Sequence, residues 1–199
     1  MSEATSMTLH LTIHALSTWN EAGRRQGHCD PPLSDRGHRM AEAMAAREDL
    51  AAVRTIWTSD LKRAMDTARP LARRLGLVAV AMEQLREGRW PNHDHDSDFP
   101  PKPCSYDFED AEAVTRRGHQ VLDRILAERP ADPLLIVSHG AFQRHLLSIL
   151  FPDRMATYKG TRTAITTLRR QEGQWAVLAW EDAHHVKAEH TRHARADAG

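Results

Sequence analysis

Four side chains spread along the chain have the chemistry to move a phosphoryl group: His14, Arg63, Glu87 and His139. A neutral imidazole is a good nucleophile toward phosphorus, and the phosphohistidine it forms is readily hydrolysed. A guanidinium takes two phosphoryl oxygens at once and stabilises the charge on the group in transit. A second imidazole donates to an equatorial oxygen. A carboxylic acid protonates the leaving alkoxide and later deprotonates the attacking water. The set requires no metal ion and no organic cofactor. Taken singly, each residue also has an ordinary reading: loop histidines with a hydrogen bond, a solvated carboxylate, a surface arginine. Arg63 is the least comfortable of these, because the first turn of a helix is a poor place for a cation unless an anion is near.

The coincidence acquires meaning from the elements that carry these residues. Leu9, Leu11 and Ile13 alternate with His10 and Thr12, which is strand periodicity with His14 at the end. A turn-rich loop follows from Ser17 to Leu33, and Ser34 can cap a helix over about 35–50 with Met40, Ala43, Met44 and Arg47 on one face. Val53–Trp57 reads as a second strand. The helix behind it carries Arg63 and stops at Gly76, with Pro70 expected to kink or break it. Leu77–Ala81 reads as a third strand, with Glu87 beyond it. A proline-rich irregular stretch leads to a helix over about 106–128. Leu134–Val137 is the most hydrophobic strand, ending in Ser138-His139-Gly140, and a helix with Phe142, Leu146, Leu147 and Leu150 on one side follows. Thr163–Leu168 and Trp175–Trp180 form a hairpin about Gly173. Strands alternating with helices predict an α/β fold, a three-layer α/β/α sandwich with a mostly parallel central sheet. Ligands bind beyond the carboxyl ends of strands in such sheets, and all four residues lie just past such ends. The helix N-termini after the second and fourth strands are expected to offer further N–H donors to the same anion.

Composition narrows the partners. Lys+Arg and Asp+Glu are each 27 in the 199 residues, so net charge provides no general attraction to nucleic acid or anionic membrane. Trp57, Trp175 and Trp180 fall within strands and read as core rather than a base-stacking platform. No apolar run is long enough to span a bilayer and no secretory signal opens the sequence, so a cytoplasmic location is expected. Cys29 and Cys104 are too few and too far apart for a disulfide framework. His93-Asp94-His95-Asp96 alternates metal-ligating types, but it sits in irregular sequence without the four fixed ligands of a structural zinc site, and no metal is assigned. One domain is expected over residues 1–183, with a short cap at about 88–106. A polar tail follows over 184–199 that takes in several of the thirteen histidines. The terminal hairpin would leave an edge on which a second copy can pair as a homodimer.

At these residues the chain resembles the histidine phosphatase superfamily, which includes cofactor-dependent phosphoglycerate mutases. The stretches that carry the resemblance are His14–Gly27, Asp30–Gly37, Thr58–Ala68 (TSDLKRAMDTA), Leu85–Trp90, and Val137–Gly140 with Arg144. The resemblance implies a phosphoglycerate mutase-like fold, with His14 as nucleophile, Arg63 and His139 in the phosphate pocket and Glu87 as proton donor. It further implies that Asn20 bonds the phosphoryl oxygens, that Gln26 and Gly27 line the substrate side, and that Ser17 lies near the pocket.

The departures are as informative. The family's first motif reads Arg-His-Gly, whereas this chain has Ile13-His14-Ala15, so half of the guanidinium clamp is missing at its usual place. Losing one donor to a developing charge typically costs about 100- to 1000-fold in rate. Arg24 and Arg25 are the nearest cations by sequence to replace it. Ala15 would alter the backbone if the position required positive φ, and Pro91 stands where the family favours Glu. The resulting expectation is a phosphomonoester hydrolase acting through phosphohistidine on a small phosphorylated metabolite. The alternative is an impaired or retuned member that binds a ligand or runs a different reaction. The short cap favours hydrolysis over mutase chemistry.

Overall fold

In the computed structural model, residues 6–89, 98–102 and 109–186 are described. Six strands form one sheet: β1 (Met7–Ile13), β2 (Thr55–Ser59), β3 (Val80–Met82), β4 (Leu134–Ser138), β5 (Ile165–Gln171) and β6 (Gln174–Asp182). Their order is β3-β2-β4-β1-β5-β6. β1 to β4 run parallel, while β5 and β6 are antiparallel additions at one edge. The helices are α1 (Thr18–Glu21), α2 (Asp35–Ala45), α3 (Lys62–Leu75), α4 (Ala111–Glu128) and α5 (Gly140–Leu150).

Alternation along β4 divides the core between two faces. Leu134 and Ile136 join residues of α4 and α5, including Val121, Ile125, Phe142 and Leu146. Leu135 and Val137 join Met44, Ala64, Ala68 and Leu71 from α2 and α3. The result is the three-layer arrangement expected, with a fully buried β4 at its centre. β1 is covered on both faces as well: Thr12 is 0% exposed, and His10 is buried with its Nδ1 sharing a 3.0 Å hydrogen bond with Thr167 Oγ1. Its polar alternation therefore marks a strand whose polar side chains find partners inside, rather than one facing water.

Several boundaries differ from expectation for identifiable reasons. α3 runs unbroken through Pro70, because Ala64, Ala68, Leu71 and Ala72 around it are locked in the core. It stops at Gly76 as expected, with φ +64° and the Leu77 amide donating back to Ala72 O. The helix read over 35–50 ends at Ala45, and a separate turn at Glu48–Leu50 follows a buried Arg47. α4 begins at Ala111 rather than near 106, because Asp110 caps it by accepting from the Ala113 amide at 2.8 Å. The loop after His14 contains α1, whose capping box pairs Ser17 with Asn20. β3 starts three residues later than read, since only Val80–Met82 pairs with β2 and Val78 is exposed. The β5–β6 turn places Glu172 at φ +52° and Gly173 at φ +84°, the geometry of a type I′ hairpin.

The polar tail read from residue 184 onward needs correction at its start. His185 is only 6% exposed, with Nδ1 3.0 Å from Arg47 Nη1 and Nε2 3.2 Å from Thr163 Oγ1. Burial, then the nearby Arg47 charge, pushes its pKa down to about 4. His190, His193, Cys104, Trp90, Pro91 and the His93–Asp96 cluster lie outside the described residues. Among the described residues, no helix is long and apolar enough to cross a membrane.

Candidate active site

His14 and His139 are neighbours because β1 and β4 are parallel and in register, Ile13 opposite Ser138. The His14 amide donates to Ser138 O at 2.9 Å, and the two imidazole centroids lie 5.0 Å apart. His14 Nδ1–H donates to Ala15 O at 2.7 Å, which sets the tautomer and leaves the lone pair on Nε2. Burial first, then the guanidiniums of Arg162 and Arg63, hold its pKa well below the ordinary imidazole value. The ring is thus neutral and aligned at neutral pH, the state a nucleophile toward phosphorus requires.

Two guanidiniums reach His14 Nε2. Arg63, from the first turn of α3, donates from Nε at 3.3 Å, and its Nη1 and Nη2 donate to Cys29 O at 2.7 Å and Gly27 O at 2.8 Å. Those carbonyls belong to the loop after α1, so the charge that looked misplaced on α3 is fixed by backbone from elsewhere. Burial lowers the Arg63 pKa to about 10. Thr67 Oγ1 completes the junction, donating to Arg63 O at 2.6 Å and accepting from the Ala15 amide at 2.9 Å. The second guanidinium is that of Arg162, whose Nη1 donates to His14 Nε2 at 3.1 Å.

Glu87 is positioned by two ion pairs on either side of its backbone. Arg86 forms a bidentate pair with Asp60 at 2.6 Å for each bond. Arg117, buried against Glu109 with both bonds at 2.7 Å, donates to the carbonyls of Gln84 and Arg86 at 2.8 Å and of Glu87 at 3.3 Å. His28 Nε2 reaches Glu87 O at 2.8 Å as well. The Glu87 carboxylate then accepts at Oε1 from the amides of Ala141 (3.0 Å), Phe142 (3.2 Å) and Gly88 (3.1 Å). The start of α5 is therefore occupied by this carboxylate instead of standing open to a ligand. The start of α3 is treated similarly, with Lys62 N donating to Asp30 Oδ1 at 2.6 Å. Helix N-terminal amides attract anions from the same chain as readily as from outside, and the expectation of free donors there is corrected on that ground.

A cleft of about 300 Å³ opens at this point, lined by His14, Asn20, Arg24, Arg25, Gln26, Gly27, Arg63, Glu87 and Arg162. Eight of these nine residues are named by the sequence, Arg162 being the exception, and Arg24 stacks its guanidinium 3.9 Å from the Trp19 ring centroid. Ser17 is fully buried and is absent from the lining; its Oγ donates to Asn20 Oδ1 and accepts from the Asn20 amide, both at 3.1 Å. With Oδ1 so engaged, Asn20 has its amide NH₂ left to offer a ligand. His139 sits behind His14, fully buried, and neither ring nitrogen meets a partner among the described residues. Burial, then Arg63 and His14, lowers its pKa well below the ordinary value. Gln26 Oε1 is likewise buried without a partner. Unsatisfied polar atoms gathered at one place are uncommon in a folded interior and suit a site that binds something polar.

Ile13 is only 2% exposed and packs with Phe142 and Tyr158. Ala15 adopts no positive φ and sits with Leu33, Met40 and Ala41 in a small apolar cluster, so replacing glycine there leaves the backbone undisturbed. Arg162 is the residue that sequence reasoning missed. The rule that ligands sit beyond the carboxyl ends of strands does not reach Arg162, which precedes an antiparallel strand whose amino end lies on the same rim. An arginine between Gly160-Thr161 and Thr163, just ahead of a strand, was the available signal.

The sequence matches the profile of the histidine phosphatase superfamily (branch 1) over residues 9–183, and the chain belongs to that family. It is 31% identical over 193 residues to the probable phosphoglycerate mutase GpmB of Yersinia pestis, covering 87% of this chain and 90% of that one. In structure it is similar to a mycobacterial glucosyl-3-phosphoglycerate phosphatase solved with VO3 (TM-score 0.73, 23% identity, 89% of this chain and 100% of that one). It is also similar to the phosphoglycerate mutase of Bacillus anthracis (TM-score 0.75, 20% identity, 93% and 97% covered). The latter two likenesses establish the shared fold.

Proposed function

We propose that the protein is a phosphomonoester hydrolase that works through a phosphohistidine on His14. The observation that carries this reading is the His14 imidazole itself: Nδ1–H bound to Ala15 O, Nε2 on the cleft side between guanidinium donors, and a carboxylate at the same cleft. In the first step His14 Nε2 attacks phosphorus, the bond from phosphorus to the ester oxygen breaks, and the Glu87 carboxylic acid gives its proton to the departing alkoxide. In the second, Glu87 as carboxylate takes a proton from water, whose oxygen attacks phosphorus. The bond from phosphorus to Nε2 breaks, and orthophosphate leaves. His139, whose ring nitrogens meet no partner among the described residues, donates one N–H to a phosphoryl oxygen. Asn20 adds its amide, and Gln26 and Gly27 border the group beyond the phosphate.

The substrate class is a small phosphorylated metabolite, in keeping with what the relatives' names say of their own activities. A hydrolase is favoured over a mutase by the short segment between Glu87 and α4, part of which, Phe99, meets Trp19 edge-on beside the cleft. Phosphate release from a panel of phosphomonoesters, comparing wild type with His14→Ala, tests the proposal. Acid-labile phosphate on the wild-type protein during turnover, absent from His14→Ala, is the result expected. Equal turnover by both would overturn it.

A further inference from the structure

We propose that Arg162 is the second phosphoryl-binding guanidinium of this site, supplied from the segment just before β5 in place of the residue before the nucleophile. The inference deepens the phosphohydrolase reading and rests on it for the identity of the transferred group.

The geometry begins with His14 Nε2. Arg162 Nη1 lies 3.1 Å from it and Arg63 Nε 3.3 Å, so two cationic donors converge on the atom that would take the phosphoryl group. When a phosphoryl group approaches, its oxygens are better acceptors for those N–H groups than an imidazole nitrogen is. A small rotation moves each donor from Nε2 to a flanking oxygen, which frees the lone pair to attack. The Arg63 guanidinium has spent Nη1 and Nη2 on Cys29 O and Gly27 O, so it brings few free donors. The Arg162 guanidinium, by contrast, makes its hydrogen bonds among the described residues through Nη1, all to His14. It is therefore the guanidinium better able to take two oxygens at once.

The segment that carries Arg162 is built to hold it. Thr163 has φ +57°, a costly conformation for a β-branched residue, three residues after Gly160 at φ +71°. Three contacts keep it there. Its amide donates to Ile13 O at 2.9 Å, its Oγ1 donates to Arg162 O at 2.7 Å, and His185 Nε2 approaches the same Oγ1 at 3.2 Å. His185 in turn meets Arg47, which is anchored by Asp49 and Asp182. Strain of this kind persists only where surrounding structure enforces it, and here its effect is to aim Arg162 at His14.

The test compares wild type with Arg162→Gln, Arg162→Lys and, as a control for lost charge on the strand that follows, the exposed Arg169→Gln. Two readouts are used: kcat/KM with p-nitrophenyl phosphate, and orthovanadate affinity by titration calorimetry. Arg162→Gln is expected to lose 100- to 1000-fold in kcat/KM at wild-type Tm, with Arg169→Gln unchanged and Arg162→Lys in between. A loss under tenfold overturns the proposal. If Arg162→Gln fails to fold, Arg162→Lys decides by the same tenfold criterion. If the wild type turns over no substrate, vanadate affinity decides: a tenfold or greater loss in Arg162→Gln upholds the clamp, and equal affinity overturns it. A wild type that neither turns over nor binds vanadate overturns both readings, whereas full activity in His14→Ala removes the phosphohistidine alone.

Discussion

Ile13 and Arg162 stand level with one another on adjacent chain segments, joined by an isolated parallel bridge in which the Thr163 amide donates to the Ile13 carbonyl at 2.9 Å. One side chain enters the apolar cluster with Phe142 and Tyr158, and the other reaches His14 Nε2. The residue before His14 is thus core, while its neighbour across the bridge carries a cation to the His14 ring. That arrangement yields the first prediction.

Ile13→Arg should lower activity rather than raise it. The new guanidinium would begin inside the apolar cluster, and an uncompensated buried charge costs on the order of 3–5 kcal/mol. A urea midpoint well below wild type, with no gain in phosphate release, is the expected outcome. A stable and faster Ile13→Arg protein would show that the site can accept a third guanidinium.

Glu87→Gln should slow hydrolysis of alkyl phosphates by about 100- to 10,000-fold and that of p-nitrophenyl phosphate by much less. An amide cannot hand a proton to an alkoxide, but p-nitrophenolate leaves without one. Rates for a series of leaving groups provide the check, and a uniform drop across the series would remove Glu87 from the proton-donor role.

Breaking the Glu109–Arg117 pair should disturb catalysis from outside the cleft. Both partners are about 2–3% exposed, and Arg117 holds the carbonyls of residues 84, 86 and 87. Glu109→Gln is expected to cost about 3–5 kcal/mol of stability and to lower kcat more than it raises KM. Denaturant titration and steady-state kinetics measure the two effects separately.

Stability should decline as pH falls below about 6.5. His10, His14, His139 and His185 all have pKa values lowered in the fold, chiefly by burial. The unfolded chain therefore takes up protons first, and the folded state loses ground with acidity. For His185 the window runs from the ordinary histidine value of about 6.5 down to about 4. Charges facing it are Arg47, His184, Asp182 and Asp49. His185→Gln should flatten the acid side of a Tm-against-pH curve, and an unchanged curve would remove His185 as a contributor.

Much of this arrangement is legible in the residues because parallel sheets impose a rule. His14, Arg63, Glu87 and His139 each follow a strand that ends at one rim, so spacing along the chain translates into a shared location. The rule says nothing about an antiparallel strand added at the edge, whose amino end meets that rim, and Arg162 escaped for that reason. Pro70 and the alternating β1 misled in a different way: local preference was overruled by packing in one case and by buried hydrogen-bond partners in the other. The Ser17–Asn20 capping box was written in the sequence as a helix start, yet four residues of helix give no periodicity to read. His185 looked like tail because its neighbours are polar, and its burial depends on Arg47, far away in the chain.

The contact between His185 and Thr163, 3.2 Å from Nε2 to Oγ1, also joins parts of the chain far apart in sequence. Thr163 in turn holds Ile13 O through its amide, while the other ring nitrogen of His185 lies 3.0 Å from Arg47 Nη1. The turn at 184–186 is thus tied by two successive hydrogen bonds to the residue before His14, so a change in it has a short route to the rim of the cleft.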